Sequence, residues 1–263
     1  MHDDARYLGA AIDSVFAQTT RDLEFVVVDD ASTDATPDVL GRTRDERLFV
    51  VRNDEQKGLA ASLNRGLDVA RGRYVARLDA DDVALPARLE RQLERIAATR
   101  VAAVGSAVRD LDAAGRPGRL HRMPRSPVAV RWHALFSSPF FHPTVLVDRD
   151  VLDRHGLRYD VTFRESEDYE LWTRLLAAGE EGANVPEALV LKRVHPGQAS
   201  ARRRELQRSF QRRVALRQIH RLAPGLDADA AWSFAVGETR AAVGAAAYGA
   251  LLEAFEAVHG SDA

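Results

Sequence analysis

Cysteine is absent from this 263-residue sequence, which excludes disulfide bonds and thiolate chemistry and permits a reducing cytosol. Lysine is nearly absent too: Lys57 and Lys192 are the only two, so arginine carries almost all the basic charge. The formal net charge of −2 gives no reason to expect binding to nucleic acid.

Long apolar runs are also missing. No stretch approaches the roughly 18–20 apolar residues that span a bilayer, and the first residues show no signal-peptide pattern. We therefore expect a cytoplasmic protein.

The segment from Arg202 to Arg221 interleaves arginines with Leu206, Phe210 and Ile219 near helical spacing. It has two interpretations: peripheral contact with the inner face of the cell membrane, or a solvated helix face whose apolar side packs on the body.

Helix-like and strand-like segments alternate along the first two-thirds of the chain. Helices are predicted over residues 7–18, 58–70, 86–98 and 166–178, and strands over 25–28, 48–51, 75–78, 101–108, 144–147 and 189–194. This alternation predicts an α/β fold with a mostly parallel sheet flanked by helices. Residues 116–127 are predicted to be a loop. We expect an α/β domain over residues 1–200 and a C-terminal helical extension over 201–263.

Two of the predicted strands end in acidic groups. Asp29 and Asp30 follow the first of these strands, and Asp79, Asp81 and Asp82 follow the second. Carboxylates so close together repel one another unless a cation lies between them, so the second group predicts a divalent metal site. Ligands bind at the carboxyl ends of the strands in open α/β sheets, where we expect both groups. The plainer alternative is a pair of polar turns.

Six segments carry a resemblance to a known family. They are LGAAIDSVFAQT (8–19), FVVVDDASTD (25–34), KGLAASLNRG (57–66), GRYVARLDADD (72–82), ESEDYELWTR (165–174) and RVHPGQAS (193–200). In this order they resemble the inverting nucleotide-sugar glycosyltransferases of family 2. The resemblance implies the GT-A fold, a Rossmann-like fold of nucleotide-diphospho-sugar transferases.

The resemblance also implies a donor site. It assigns Asp81 and Asp82 to Mn²⁺ or Mg²⁺, which as a Lewis acid would stabilise the departing nucleotide diphosphate. Asp29 and Asp30 are assigned to the base and ribose, and Ser32 supplies a further hydroxyl contact. The other nucleotide-sugar contacts are assigned to Lys57, Asn64, Asp79 and His195. For Lys57, Asn64 and His195 a structural or solvent-facing role is the alternative.

Catalysis is assigned to the pair that opens the helix near residue 166. Asp168 is the implied general base, with Glu167 and His142 on the acceptor side. A base there takes the acceptor proton as the acceptor oxygen attacks the anomeric carbon, so one displacement inverts the configuration without an enzyme nucleophile. The alternatives are first-turn carboxylates favoured by the helix dipole and a packed histidine.

The chain departs from the family at its start. The family's first strand and Pro-x-Tyr-Asn-like turn have no counterpart in Met1–Ala5. In the GT-A sheet that strand lies between the two strands that carry the acidic groups, so we expect both to lose a hydrogen-bonding neighbour. A misassigned start codon or a truncation is our hypothesis. In-frame upstream DNA encoding an apolar, β-branched run would support it, and an immediate upstream stop codon would refute it.

The leading functional hypothesis is a metal-dependent inverting glycosyltransferase in surface polysaccharide or glycoconjugate synthesis. Its partners would be a nucleotide-sugar donor and a glycan or lipid-linked acceptor. The alternative, suggested by the missing strand, is a catalytically inactive relic that binds a nucleotide sugar or acts as a scaffold. A nucleotidyltransferase is a third reading, but no Gly-rich, basic phosphate loop is visible.

Overall fold

The computed structural model describes residues 1–195 and 203–260. The helices are α1 (Ala5–Phe16), α2 (Thr36–Arg42), α3 (Leu59–Val69), α4 (Arg88–Thr99), α5 (Pro127–His133), α6 (Arg149–Arg154), α7 (Glu167–Ala177), α8 (Arg204–Leu222), α9 (Ala228–Ala235) and α10 (Ala242–His259). The strands are β1 (Phe25–Asp29), β2 (Leu48–Arg52), β3 (Tyr74–Ala76), β4 (Val83–Ala84), β5 (Ala103–Leu111), β6 (Pro117–His121), β7 (Leu146–Asp148) and β8 (Gly182–Arg193). Every predicted helix and strand overlaps one of these elements.

The strands form two sheets. β1 and β2 are a parallel pair, and the other six strands form one sheet in the order β3-β7-β5-β8-β4, with β6 on β5. The α/β layering is confirmed, but the parallel majority is not. β5 and β8 are parallel, whereas β3–β7, β5–β7, β5–β6 and β4–β8 are antiparallel. Alternation of helices and strands therefore predicted the layers correctly and the strand directions poorly.

The predicted loop over residues 116–127 is wrong in its first part, because β6 forms a hairpin with β5. Its turn is built by Asp112, whose Oδ1 accepts hydrogen bonds from the main-chain N–H groups of Ala114 and Arg116, both at 2.9 Å. Gly115 adopts φ 79° there, a conformation that glycine reaches without strain. A turn this short joins antiparallel strands and cannot make a parallel crossover.

β1 and β3 belong to different sheets, and no strand of the described residues lies between them. Among the described residues, each of these two strands has one edge without a ladder partner, as predicted. The main chain of Met1 covers the end of this gap: its ammonium donates to Val28 O at 3.0 Å, and its carbonyl accepts from Asp30 N–H at 2.8 Å. The gap opens into a cleft of about 1870 Å³ whose walls include residues of β1, β3, α3 and α7.

The C-terminal helices form a cluster of their own on α5. Ile219, Trp232, Leu251 and Phe255 are buried together there with Leu135. The predicted helical content after residue 201 is confirmed for α8 to α10. The division into two domains near residue 200 stays a prediction.

α8 carries the arginine-rich segment. It buries Val214 and Ile219, while Arg208 Nε donates to Glu238 and Arg212 Nε to Asp229, both at 2.8 Å. This arrangement fits the solvated-face interpretation, and contact with a membrane surface stays a prediction. Within residues 1–195 and 203–260, no helix combines the length and apolarity needed to cross a bilayer.

Candidate active site

The acidic group after β3 is tightly packed. Asp79, Asp81 and Asp82 each offer one carboxylate oxygen, and these oxygens lie within 4.8 Å of one another. Asp82 is the most buried of the three, at 1% exposure. Burial, reinforced by the charges of Asp79 and Asp81, raises the pKa of Asp82 to about 8. The crowding of three carboxyl groups at this strand end therefore disfavours the charged form of Asp82.

Hydrogen bonds satisfy only part of this group. Arg193 N–H donates to Asp82 Oδ1 at 2.8 Å, whereas Asp82 Oδ2 is buried without a hydrogen-bond partner in the described part of the chain. His195 Nε2 lies 3.2 Å from Asp81 Oδ2. An orphaned carboxylate oxygen beside a second carboxylate suits Mn²⁺ or Mg²⁺, which prefer oxygen ligands. The residues therefore fit a divalent ion held by Asp81 and Asp82.

The acidic pair after β1 has different surroundings. Asp30 accepts hydrogen bonds from Asn53 Nδ2 at 2.6 Å and from the main-chain N–H groups of Lys57 at 2.8 Å and Gly58 at 2.9 Å. Burial by itself would raise the pKa of Asp30, but these hydrogen bonds outweigh it and hold the pKa below its ordinary value. Asp30 thus fixes the turn that leads into α3.

The negative charge of Asp29 is also compensated by protein groups. Its carboxylate accepts from Ser32 N–H at 2.9 Å and forms an ion pair with Arg52, which also donates to Ser32 O at 2.8 Å. The Ser32 hydroxyl accepts from Asp3 N–H at 3.0 Å. These contacts hold residues 29–32 in a defined turn. Recognition of the base and ribose by Asp29, Asp30 and Ser32 stays a prediction.

The base candidates open α7. Asp168 Oδ2 accepts a hydrogen bond from the Ser138 hydroxyl at 3.2 Å. Burial raises the pKa of Asp168, and the hydrogen bonds that it accepts, including that of Ser138, oppose this shift. Burial, followed by the charge of Asp168, raises the pKa of Glu167 to about 7. Two adjacent carboxyls with raised pKa values make a basic site near neutral pH.

His142 packs behind this pair. Its Nε2 lies 2.9 Å from the Tyr159 hydroxyl, and its Nδ1 lies 3.9 Å from Glu167 Oε1. Burial and the nearby charge of Arg77 hold the pKa of His142 well below its ordinary value. A neutral imidazole here can position Tyr159 and Glu167 without adding charge to the site.

The cleft brings most of the predicted residues together. Its lining includes Lys57, Asp79, Asp81, Asp82, His142, Glu167, Asp168 and His195. Four others are not among its lining residues: Asp29, Asp30, Ser32 and Asn64. The Asn64 side chain bonds both main-chain groups of Tyr159 at 2.8 Å, which fits the structural alternative for this residue.

Sequence reasoning missed Arg77, Ser138 and Tyr159. Arg77 did leave a signal, because an arginine in an otherwise apolar strand, two residues before a carboxylate, is an unusual choice for a buried position. Ser138 left none, since it lies in an irregular segment 30 residues before its partner Asp168.

A family model for glycosyl transferase family 2 matches residues 1–156. The chain belongs to glycosyl transferase family 2. Among curated relatives, it is 34% identical over 212 residues to the succinoglycan biosynthesis protein ExoO of Rhizobium meliloti, covering 76% of this chain and 60% of that protein. It is 27% identical over 220 residues to the Escherichia coli UDP-Glc:alpha-D-GlcNAc-diphosphoundecaprenol beta-1,3-glucosyltransferase WfaP, covering 81% of this chain and 83% of WfaP.

Solved structures show the fold of this family 2 chain. TarS 1–349 of S. aureus in complex with UDP-GlcNAc superposes with a TM-score of 0.66 at 16% identity, covering 90% of this chain and 78% of that chain. The mannosyltransferase PcManGT of Pyrobaculum calidifontis, in complex with GDP-Man and Mn²⁺, superposes with a TM-score of 0.60 at 21% identity, covering 99% and 84%. The predicted GT-A fold is thereby confirmed.

Proposed function

We propose that this family 2 chain transfers a sugar from a nucleotide diphosphate sugar to an acceptor hydroxyl with inversion. One observation carries the proposal: a close group of carboxylates and a buried carboxyl with a raised pKa line a single cleft. Asp79, Asp81 and Asp82 bring carboxylate oxygens to within 4.8 Å of one another, an arrangement that suits a divalent ion, and burial raises the pKa of Asp168. Inverting glycosyl transfer needs stabilisation of the leaving diphosphate and deprotonation of the attacking hydroxyl, and a divalent ion and a carboxylate base can supply these two functions.

The chain's own residues have separate roles in this proposal. Asp81 and Asp82 would hold the divalent ion, which when bound supplies Lewis-acid stabilisation of the leaving diphosphate. Asp168 accepts the proton of the acceptor hydroxyl, and Ser138 orients the carboxylate that does so. Because no nucleophilic side chain is required, one displacement inverts the anomeric carbon.

The comparisons support a role in the synthesis of a surface polysaccharide or glycoconjugate. ExoO is named for succinoglycan biosynthesis, and WfaP for transfer to a diphosphoundecaprenol-linked sugar. We propose a glycan or lipid-linked acceptor of this kind. Such an acceptor would bring this chain to the inner face of the cell membrane, where the exposed arginines of α8 would meet anionic lipid.

The test is consumption of UDP-GlcNAc, UDP-Glc and GDP-Man with Mn²⁺, with and without lipid-linked glycan acceptors. We expect one donor to be consumed, and consumption in Asp81→Ala to fall by about 10³-fold, since a catalytic ion contributes several kcal/mol to the transition state. Asp160→Asn is the matched control, because Asp160 is an aspartate in a turn outside the cleft lining. Equal turnover by Asp81→Ala and the wild type would overturn the metal assignment.

The gap between β1 and β3 favours a second candidate, a relic that binds a nucleotide sugar without turning it over. β1 and β3 each have one edge without a ladder partner among the described residues, which makes the donor site less rigid. The relic predicts that UDP or GDP with Mn²⁺ raises the melting temperature while no donor is consumed with any acceptor. Turnover that depends on Asp168 would exclude it.

A further inference from the structure

One side of α8 forms part of the cleft wall, and the proposed mechanism does not use it. Arg203, directly before this helix, and Gln207 and Gln211 within it all line the cleft. Residues four apart lie on the same side of a helix. The three positions therefore form one stripe, along about 12 Å of the helix axis.

The two glutamine amides of this stripe are available to a ligand. Gln207 and Gln211 are partly buried, and neither side chain makes a hydrogen bond within residues 1–195 and 203–260. Neither amide is among the closed-off polar atoms without a partner in that part of the chain, so both amides reach solvent. Each amide offers an NH₂ donor and a carbonyl acceptor.

The helix that carries this stripe is firmly packed. Val214 of α8 is buried in one apolar cluster with Phe163 and Tyr169. One turn further along, Arg217 Nη2 donates to Glu170 Oε1 of α7 at 3.2 Å. The glutamine side chains therefore extend into the cleft from a backbone that is fixed on α7.

The stripe lies beside the start of α7, where the proposed base is found. The Ser166 hydroxyl donates to the main-chain carbonyl of Gln207 at 3.4 Å, and Arg203 Nη1 donates to Glu165 Oε1 at 3.1 Å. Both partners closely precede Asp168 in the chain. An acceptor hydroxyl that Asp168 deprotonates belongs to a sugar next to this base, and α8 is the neighbouring wall for that sugar.

We infer that Gln207 and Gln211 bind the acceptor sugar through its hydroxyl groups. The inference rests on the proposed function. Hydroxyl groups both donate and accept, as these amides do, and the Arg203–Glu165 pair also offers one donor and one acceptor. A phosphate group, in contrast, uses its oxygens as acceptors. The C-terminal helices thereby take part in selecting the acceptor, and they lie outside residues 1–156, which the family model matches.

Saturation-transfer NMR tests this assignment on the full chain with Mn²⁺ and UDP or GDP, whichever it binds. The probes are the methyl glycosides of glucose, galactose, mannose and N-acetylglucosamine, and a water-soluble GlcNAc-diphosphate lipid. We expect the wild type to bind at least one probe. Gln207→Ala and Gln211→Ala should each weaken that binding by about 3- to 10-fold, the range for one neutral hydrogen bond.

Calorimetry on the same variants separates the acceptor from the donor. Affinities for UDP-GlcNAc, UDP-Glc and GDP-Man should stay within about twofold of wild type. If Gln207→Ala does not melt cooperatively, Gln207→Glu replaces it and should also weaken the probe, because it lacks the NH₂ donor.

Gln218→Ala is the matched control. Gln218 is a partly buried glutamine of the same helix, but it does not line the cleft, so its substitution should leave every affinity unchanged. Undiminished probe binding by the double variant Gln207→Ala/Gln211→Ala would overturn the inference. So would a loss confined to the nucleotide sugar, which would place the two glutamines on the donor. A wild-type chain that binds nucleotide but no probe would overturn it too, whereas a chain that binds no nucleotide would refute the proposed function itself.

Discussion

Two strand ends that look alike in sequence differ in how their carboxylates are satisfied. After β1, Asp30 receives three hydrogen bonds from the protein, and its pKa lies below the ordinary value. After β3, Asp82 accepts a hydrogen bond from Arg193 N–H, its Oδ2 is buried without a hydrogen-bond partner among residues 1–195 and 203–260, and its pKa is raised to about 8. Runs of aspartates therefore do not identify a metal site by themselves. The deciding property is whether protein donors have already neutralised the charge.

The largest expected effect concerns Asp168, a third carboxyl group, whose pKa is raised by burial. Asp168→Asn should lower the transfer rate by about 10³-fold, because a positioned general base contributes 10²–10⁴-fold. Binding of the donor, measured by calorimetry, should not change. Asp160→Asn serves as the control in the same assay. Loss of donor binding in Asp168→Asn would show that this residue belongs with the donor site instead.

The next effect tests the contrast between the two strand ends through stability. Asp30→Asn should lower the free energy of unfolding by about 3 kcal/mol. The substitution weakens several charge-assisted hydrogen bonds, and the amide NH₂ group that it introduces cannot accept hydrogen bonds from the buried N–H donors. Asp82→Asn should leave the metal-free protein at least as stable as the wild type. Burial already keeps Asp82 largely protonated at pH 7, so the amide replaces a neutral acid.

Urea denaturation of the metal-free proteins at pH 7 measures both values. Equal destabilisation by Asp30→Asn and Asp82→Asn would remove the distinction between the two strand ends. Stabilisation by Asp30→Asn would show that its hydrogen bonds do not compensate for its burial.

The smallest effect sharpens the description of the base. Ser138→Ala removes a hydrogen bond that favours the charged form of Asp168, so the pKa of Asp168 should rise further. Because Asp168 acts when deprotonated, the acidic limb of the pH–rate profile should move to higher pH, with a loss of only a few fold at neutral pH. Ser209→Ala, on the exposed side of α8, is the control. A uniform loss at every pH would indicate a packing defect and not a shifted base.

Much of the fold was predictable because it depends on local pattern. The apolar spacing of α3 and the turn before it predicted that helix to within a residue or two, and the strand predicted over 25–28 extends one residue further, to Asp29. The antiparallel majority was not predictable, since β7 pairs with β3 and β5 through residues far apart in the chain. The periodicity of apolar residues indicates which side of a helix or strand is buried, but it does not indicate which strand lies next to it in the sheet.

The candidate site, like the fold, was predictable from the sequence only in part. Asp81, Asp82 and Asp168, which the motifs assign to one site, line one cleft, and their roles stay predictions. Motifs did not reveal that Asn53 and the first residues before α3 saturate Asp30, because those donors arrive from the next strand and turn. The state of a carboxylate is a tertiary property, and residue type alone does not determine it.

The most direct test of this contrast is titration of the metal-free chain with Mn²⁺ alone, followed by calorimetry and thermal melting. Wild type and Asp160→Asn should bind one ion, and at 100 times the dissociation constant it should stabilise the fold by about 2.7 kcal/mol. Asp81→Ala should lose this stabilisation, whereas Asp30→Asn should retain it from a lower starting stability. Undiminished Mn²⁺ binding by Asp81→Ala, or its loss in Asp30→Asn at temperatures where that variant is folded, would contradict the account.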